Sequence, residues 1–300
     1  MTEDYTIILF YKYVPIEDPK TEMIRQKGVC DVLGLKGRMI VAEEGINATL
    51  EGTTANVEKY MEWMKTDKRF RKIHWKKSHG QGDAFPRLSV KVRSEIVSLN
   101  LHEQDINPNA ITGIHLPPAE LAKWYAEGKE FYIVDMRNDY ELKVGKFEGT
   151  VFPGLENFRD LKSKLPAIEH LKDKTVLTVC TGGVRCEKAS GLLKREGFEN
   201  VYQLDGGIVS YMEKFPGQHF RGSLYVFDNR LTMHFNDPAK HEIIGVCERC
   251  GDKSERYVNC ANLACHRHFI VCDACLLATG DAYCTTDCEN TGVKKSALVQ

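Results

Sequence analysis

The chain has 300 residues, with 41 lysines and arginines, 42 acidic residues and a formal net charge of −1. This length predicts two or three domains. An apolar content of 42% and a charged content of 28% are typical of a globular protein. The charge balance excludes a chain that is strongly basic throughout, although it allows a local basic surface.

The chain start and the cysteines together predict a compartment. Met1–Tyr5 is acidic and is not followed by a basic segment with an apolar core, and no apolar run is long enough to span a membrane. Eight of the eleven cysteines lie after residue 245 in close pairs, which indicates metal binding in a reducing compartment rather than disulfide bonds. We therefore expect a cytoplasmic protein without a membrane partner.

Residues 1–100 alternate strand and helix patterns. Apolar strands are expected from Thr6, Gly37 and Ile46 and at Lys72–Trp75 and Leu88–Val92, with helices from Pro19 and after Thr54. The order βαββαβ predicts a ferredoxin-like sandwich, in which helices cover one face of an antiparallel sheet. Because this fold occurs in proteins with many different functions, it does not by itself indicate a function.

Within this domain lies a basic strip, which we define as residues 65–93. It contains ten lysines and arginines against two acids, with aromatic residues interleaved. Because basic side chains contact phosphate and aromatic rings stack on unpaired bases, the strip is either an RNA-facing surface or a solvated face. The candidate RNA contacts are Lys68, Arg69, Arg71, Lys72, Lys76 and Lys77.

Residues 101–125 are expected to form a proline-containing linker and a lead-in helix. In residues 126–220, apolar strands alternate with helical patterns, which predicts a parallel sheet in an α/β domain. Ligand sites of such sheets form beyond the carboxyl ends of the strands. Asp135, Arg137 and Cys180 all follow or end a strand, so we expect them at one edge, with Asp135 and Arg137 forming an ion pair.

The segment Cys180–Arg185, called the Cys180 loop below, follows an apolar strand and precedes a helical pattern. Inward-pointing N–H groups and a helix N-terminus favour an anion in such a loop, and therefore the thiolate of Cys180. Cys186 either reacts with Cys180 or packs in the helix. The predicted catalytic residues are Cys180 and Arg185, supported by Thr181, Gly182, Gly183, Val184, Cys186, Asp135 and Arg137.

The C-terminal cysteines suit two four-thiolate metal sites. They are Cys247, Cys250, Cys260, Cys265, Cys272, Cys275, Cys284 and Cys288. Four thiolates are a normal ligand set for structural zinc, and the short spacings suit zinc better than an iron–sulfur cluster. Two arrangements are open: sequential, with the first four together, or interleaved, with the first and third pairs sharing one metal.

Residues 126–220 resemble a rhodanese domain. The resemblance is carried by Asp135–Arg137, Gly145–Gly149, the Cys180 loop and Leu204–Gly207. It implies that Cys180 carries a persulfide that Arg185 and the loop N–H groups stabilise. Four residues separate Cys180 from Arg185, whereas the related phosphatases have five, so the loop argues against a phosphatase.

Nearly the whole chain resembles the rhodanese-related tRNA uridine hydroxylases. The matching segments are Glu43–Asn47, Cys180–Ser190, Phe227–Arg230 and the cysteine pairs. The resemblance implies conversion of the tRNA wobble uridine to 5-hydroxyuridine with molecular oxygen as co-substrate. No flavin or nicotinamide fingerprint occurs in the sequence. Alternative interpretations are a thiosulfate or persulfide sulfurtransferase and a non-catalytic adaptor for RNA or protein.

Overall fold

The computed structural model describes residues 4–235 and 238–291. These residues fall into two units: the first runs to Arg137 and resumes at Gly149–Phe215, and the second comprises Asn138–Glu148 and the chain from Pro216 onward. Within the described residues, no helix has both the length and the apolar character that crossing a bilayer requires.

The N-terminal part of the first unit is a sandwich of one sheet and two helices. Its elements are β1 (Tyr5–Tyr13), α1 (Pro19–Val32), β2 (Lys36–Ala42), β3 (Gly45–Thr53), α2 (Thr54–Thr66), β4 (Lys76–Gly80) and β5 (Leu88–Val92). The strands lie in the order β4-β1-β3-β2-β5, antiparallel except for the edge pair β2–β5. The predicted ferredoxin-like sandwich is confirmed, and the strand expected at Leu88–Val92 forms one edge of its sheet as β5.

Local sequence explains where α1 begins. Asp18 accepts the backbone N–H groups of Lys20 and Thr21 at 3.0 and 3.1 Å, and Pro19 occupies the first turn, where its missing N–H is not needed. The apolar side chains of α1 and α2 then pack with those of the sheet in one buried cluster.

The strand expected at Lys72–Trp75 was misplaced, and β4 begins at Lys76. The chain is still turning at Ile73, whose N–H donates to the carbonyl of Phe70 at 3.2 Å. Pairing with β1 starts only where Lys76 lies opposite Leu9. This shift determines which lysines of the strand point inward.

Residues 101–215 build the parallel α/β domain. Their elements are β6 (Ile114–Leu116), α3 (Pro118–Ala126), β7 (Tyr132–Asp135), α4 (Asp139–Leu142), β8 (Gly145–Phe147), α5 (Leu161–Lys164), β9 (Thr175–Val179), α6 (Val184–Arg195), β10 (Asn200–Leu204) and α7 (Gly207–Lys214), of which α4 and β8 belong to the second unit. The strand order β6-β10-β9-β7, with all pairs parallel, confirms the predicted sheet. The stretch expected to be a linker thus contains a strand, β6, that pairs with β10.

The second unit consists of short strands and helices around the cysteines. Its further elements are β11 (Phe220–Gly222), β12 (Leu224–Tyr225), β13 (Thr232–Met233), β14 (Tyr257–Asn259), β15 (His268–Ile270), α8 (Asp273–Thr279) and α9 (Thr286–Thr291). Antiparallel pairs join β8 to β11, β12 to β13 and β14 to β15.

A buried lysine joins the two domains of the first unit. Lys188 on α6 is fully buried, and its Nζ lies 2.8 Å from Glu44, 2.8 Å from Glu95 and 2.7 Å from Asp105. Burial alone would lower the pKa of Lys188, but its hydrogen bonds to Asp105, Glu44 and Glu95 raise it. One cation therefore holds carboxylates from the β2–β3 turn and from the chain after β5.

Replacing Lys188 with methionine should destabilise the protein by about 3–5 kcal/mol, because three carboxylates would lose the cation that neutralises them. Urea unfolding of the purified chain measures this difference. The control is Lys27→Met, which removes an exposed pair with Asp31 and should cost at most about 0.5 kcal/mol. Equal effects of the two substitutions would contradict the structural role of Lys188.

Candidate active site and metal centres

The Cys180 loop is held in shape by the start of α7. The N–H groups of Ile208 and Val209 donate to the carbonyls of Cys180 and Thr181 at 2.9 and 3.1 Å. The approach is so close that a Cβ at Gly207 would lie 2.6 Å from the backbone nitrogen of Gly183. Gly183 and Gly207 also have φ values of +99° and +71°, which glycine tolerates best.

The thiol at the base of this loop is a stabilised anion site. Cys180 is fully buried, and the N–H of Gly183 donates to its Sγ at 3.2 Å. Burial opposes ionisation, but the thiol and N–H of Cys186, the Arg185 guanidinium and the Gly183 N–H together lower the pKa of Cys180 to about 6. Burial and the neighbouring Cys180 raise the pKa of Cys186, so Cys180 is the thiolate of the pair.

The predicted supporting residues lie around this thiolate. Arg185 is largely buried and donates from Nη2 to Thr181 Oγ1 at 3.2 Å. Asp135 and Arg137 form the expected ion pair, with both side chains fully buried and 2.7 Å between Oδ2 and Nη2. The Cys180 loop therefore begins beside a fixed charge pair at the carboxyl edge of the sheet.

Sequence reasoning missed a polar network around Glu187, on the first turn of α6. The carboxylate accepts from Tyr11 Oη at 2.9 Å and from Gln203 Nε2 at 3.0 Å, and it lies 3.0 Å from His115 Nε2. Burial raises the pKa of Glu187, but the hydrogen bonds and the charge of His115 outweigh this and lower it. The signal in the sequence that pointed to Glu187 was its position within Cys180–Ser190, a segment that matches the tRNA uridine hydroxylases.

The N-terminal domain contributes directly to the loop. Tyr13 Oη donates to the carbonyl of Val184 at 3.3 Å, and a Cβ at Gly182 would lie 2.7 Å from Leu9 Cδ2. Lys76, expected among the surface RNA contacts, is instead only 3% exposed and donates from Nζ to the carbonyl of Gly182 at 2.8 Å. The assignment of Lys76 to an exposed RNA-facing surface was therefore wrong.

The other candidate RNA contacts have different surroundings. Arg69 is half-buried and paired with Asp67 and Glu22, at 2.6 and 2.8 Å. The remaining four side chains of the set are exposed, namely Lys68, Arg71, Lys72 and Lys77.

The eight C-terminal cysteines form two groups with the interleaved arrangement. Within each group the four sulfur atoms lie within 4.8 Å of one another; the groups are Cys247, Cys250, Cys272 and Cys275, and Cys260, Cys265, Cys284 and Cys288. Sulfur pairs within them are 3.5 to 3.6 Å apart. Tetrahedral zinc with Zn–S bonds of about 2.3 Å requires sulfur separations of about 3.8 Å, so both groups fit a four-thiolate metal.

Three family models together match most of the chain. Residues 5–96 match the UPF0176 acylphosphatase-like domain, residues 117–214 match the rhodanese-like domain, and residues 221–289 match the rhodanese C-terminal family. Among solved structures, the rhodanese-like domain of an Anabaena protein is 20% identical, with coverage of 36% of this chain and 78% of that domain. Its TM-score of 0.31 is too low to add to these matches.

Full-length relatives give the family. A tRNA uridine(34) hydroxylase of Bacillus pumilus is 46% identical over 90% of this chain and 84% of its own length. Proteins with the same name from Cytophaga hutchinsonii and Corynebacterium jeikeium are 43% and 40% identical, with coverage of 91% and 93% of this chain and 86% and 92% of their own lengths. The chain belongs to the tRNA uridine(34) hydroxylase family.

Proposed function

We propose that this protein hydroxylates uridine 34 of tRNA to 5-hydroxyuridine, with Cys180 as the reacting group. Relatives named tRNA uridine(34) hydroxylase are 40–46% identical to this chain over 84–92% of their own length. The structural observation that carries the proposal is the buried Sγ of Cys180, which accepts the Gly183 N–H at 3.2 Å. The N–H groups of the loop and the Arg185 guanidinium lower the pKa of this thiol. A thiol activated in this way is a nucleophile and can also carry sulfur as a persulfide.

Molecular oxygen is the proposed co-substrate. Hydroxylation replaces the hydrogen on C5 of the uracil ring with a hydroxyl group, which requires one oxygen atom. The second oxygen atom leaves as water and requires two electrons, for which we propose a thiol-class reductant that ends as a disulfide. Within the chain, Arg185 and the loop N–H groups would stabilise the negative charge on the sulfur.

The four exposed members of the candidate RNA-contact set, Lys68, Arg71, Lys72 and Lys77, are the proposed tRNA contacts. They precede and follow His74, whose Nδ1 lies 3.9 Å from Asp205 Oδ1. Asp205 directly precedes Gly206 and Gly207. A Cβ at Gly206 would lie 2.8 Å from His74 Cε1, and one at Gly207 would lie 2.7 Å from the Cys180 carbonyl oxygen, so His74 and its neighbours in the strip lie near the Cys180 loop. Position 34 is read in an unpaired loop, which suits recognition by phosphate contacts and stacking. With tRNA as substrate, the proposed site of action is the cytoplasm.

Zinc is the proposed metal of both cysteine groups. Four thiolates per group match its preference, and short polar segments between the cysteines offer little apolar core. The proposed role is structural, since each group already supplies a complete ligand set.

The first test replaces Cys180 with serine. The variant should lose 5-hydroxyuridine and its derivatives in tRNA, because the hydroxyl of serine stays neutral where the thiolate was charged. Mass spectrometry of tRNA nucleosides, after complementation of a deletion strain, measures this. Cys30→Ser, at a buried thiol on α1, is the matched control and should retain the modification. Full modification by the Cys180→Ser variant would remove Cys180 from the reaction.

A sulfurtransferase is the second candidate, favoured by the short Cys180 loop around a buried thiolate. In that case, thiosulfate should add the mass of one sulfur atom to Cys180, and a thiol acceptor should remove it catalytically, while tRNA nucleosides stay unchanged. Turnover of sulfur without any tRNA product would favour this candidate over the hydroxylase.

Replacing Lys68, Arg71, Lys72 and Lys77 together with glutamine should weaken tRNA binding at least about tenfold and flatten its salt dependence, since fewer phosphate contacts release fewer counterions. Filter binding at several salt concentrations measures both. The control neutralises four exposed lysines outside the strip, namely Lys27, Lys59, Lys123 and Lys162. The assignment fails if the two variants lose the same affinity.

Elemental analysis should find two zinc ions per chain. Cys272→Ser should reduce this to about one, because Cys272 belongs to a single group, whereas Cys30→Ser should leave two. A metal content that Cys272→Ser does not change, or a metal other than zinc, would contradict the assignment.

A further inference from the structure

The peptide group between Gly182 and Gly183 joins two charged side chains. On one side, the Gly183 N–H donates to Cys180 Sγ at 3.2 Å. On the other side, the Gly182 carbonyl accepts from Lys76 Nζ at 2.8 Å. Because a peptide group is planar and its N–H and C=O are conjugated, a cation at the oxygen polarises the N–H toward the anion.

The strand register places Lys76 there. Lys76 lies opposite Leu9 in the β1–β4 pair, and both side chains reach Gly182. Successive side chains of a strand point to opposite faces, and Lys77 is accordingly exposed. The ammonium also lies 4.8 Å from the centre of the Tyr11 ring, a cation–π distance.

Lys76 retains its charge despite burial. Burial lowers its pKa to about 8, while negative groups nearby favour the ammonium. Those groups are Cys180, Asp205, Glu187 and Glu213. Burial and the charge of Lys76 in turn lower the pKa of the nearby His74. Since a pKa of about 8 lies above neutral pH, Lys76 carries a positive charge at neutral pH.

We propose that Lys76 of the N-terminal domain is a positioning residue of the reactive site, which orients and polarises the Gly182–Gly183 peptide toward the Cys180 sulfur. The rhodanese resemblance implies that Arg185 and the loop N–H groups alone stabilise the anion on the Cys180 sulfur. Here the N-terminal domain completes that anion site, so the rhodanese domain and the sandwich share one reactive centre.

The test measures the ionisation of Cys180 in Lys76→Met, a substitution that keeps length and removes charge. The ultraviolet thiolate absorbance, taken as the difference from the matching Cys180→Ser protein, should titrate near 6 in the natural chain. In Lys76→Met the ionisation constant of the Cys180 thiol should fall about tenfold, which is a rise of about one unit in its pKa. Lys76→Arg, which keeps the charge, should recover part of the loss. Lys77→Met, a change at a proposed tRNA contact, should leave the titration of Cys180 unchanged, because this measurement contains no tRNA.

An unchanged titration of Cys180 in folded Lys76→Met would overturn the proposal, as would an equal shift in Lys77→Met. If Lys76→Met does not fold, the reciprocal measurement decides. Nuclear magnetic resonance of labelled lysine should show Lys76 titrating near 8, and lower in Cys180→Ser, because coupling between two charges is mutual. An identical Lys76 titration in both proteins would equally refute it.

This inference rests on the proposed function only in taking Cys180 as the reacting group. Neither readout uses tRNA or oxygen, so a failure of the hydroxylase assignment and a failure of the Lys76 assignment are distinguishable. If both hold, Lys76→Met should also reduce 5-hydroxyuridine formation most strongly at the lowest pH, where its Cys180 is least ionised.

Discussion

The negative charge on a fully buried sulfur is the constraint on which the reactive site depends. An isolated buried anion is costly, so it persists only where fixed dipoles and cations compensate it. Here the compensation comes from Arg185, from the Gly183 N–H and from Lys76 through the peptide that this N–H belongs to. The glycines follow from the same requirement, since only a bare backbone lets the loop and the start of α7 approach so closely.

Such a site needs both domains of the first unit to stay together. The residues that hold them lie in the segments Glu43–Asn47 and Cys180–Ser190, which carry the resemblance to the tRNA uridine hydroxylases. Glu44, in the segment Glu43–Asn47, and Lys188, in the segment Cys180–Ser190, form one buried ion cluster. Glu187, next to Lys188, binds Tyr11 of β1. The segment Cys180–Ser190 therefore forms a contact between the two domains as well as the Cys180 loop, and Lys76 reaches the Gly182 carbonyl across the same contact.

The sequence predicted what depends on neighbours in the chain. A strand, a thiol, two glycines and a helix start are contiguous, and their backbone geometry follows from local rules. The ferredoxin-like order and the parallel sheet came from hydrophobic periodicity in the same way. The partners of the ion pair, Asp135 and Arg137, are only two positions apart in the chain, so this interaction is equally local.

What could not be predicted depends on register and on tertiary pairing. A lysine in a basic strip looks like a surface residue by composition, and only the pairing of Lys76 with Leu9 shows that it points inward. The interleaved arrangement of the cysteine groups could not be predicted either, because it also depends on tertiary pairing. Spacing allows both arrangements, and the β14–β15 hairpin lies between the first and third pairs in the chain while these pairs meet in space.

Burial of the sulfur also limits how the proposed substrate can react. Cys180 has no exposed surface, so a uracil ring can reach its Sγ only if the base leaves its stack and enters the site, as bases do in other base-modifying enzymes. A persulfide would shorten the required reach, because its outer sulfur lies about 2 Å beyond Sγ. The same donors would then stabilise a charge located nearer the edge of the sheet. The persulfide implied by the rhodanese resemblance and the hydroxylation of a base are therefore compatible uses of one anion site.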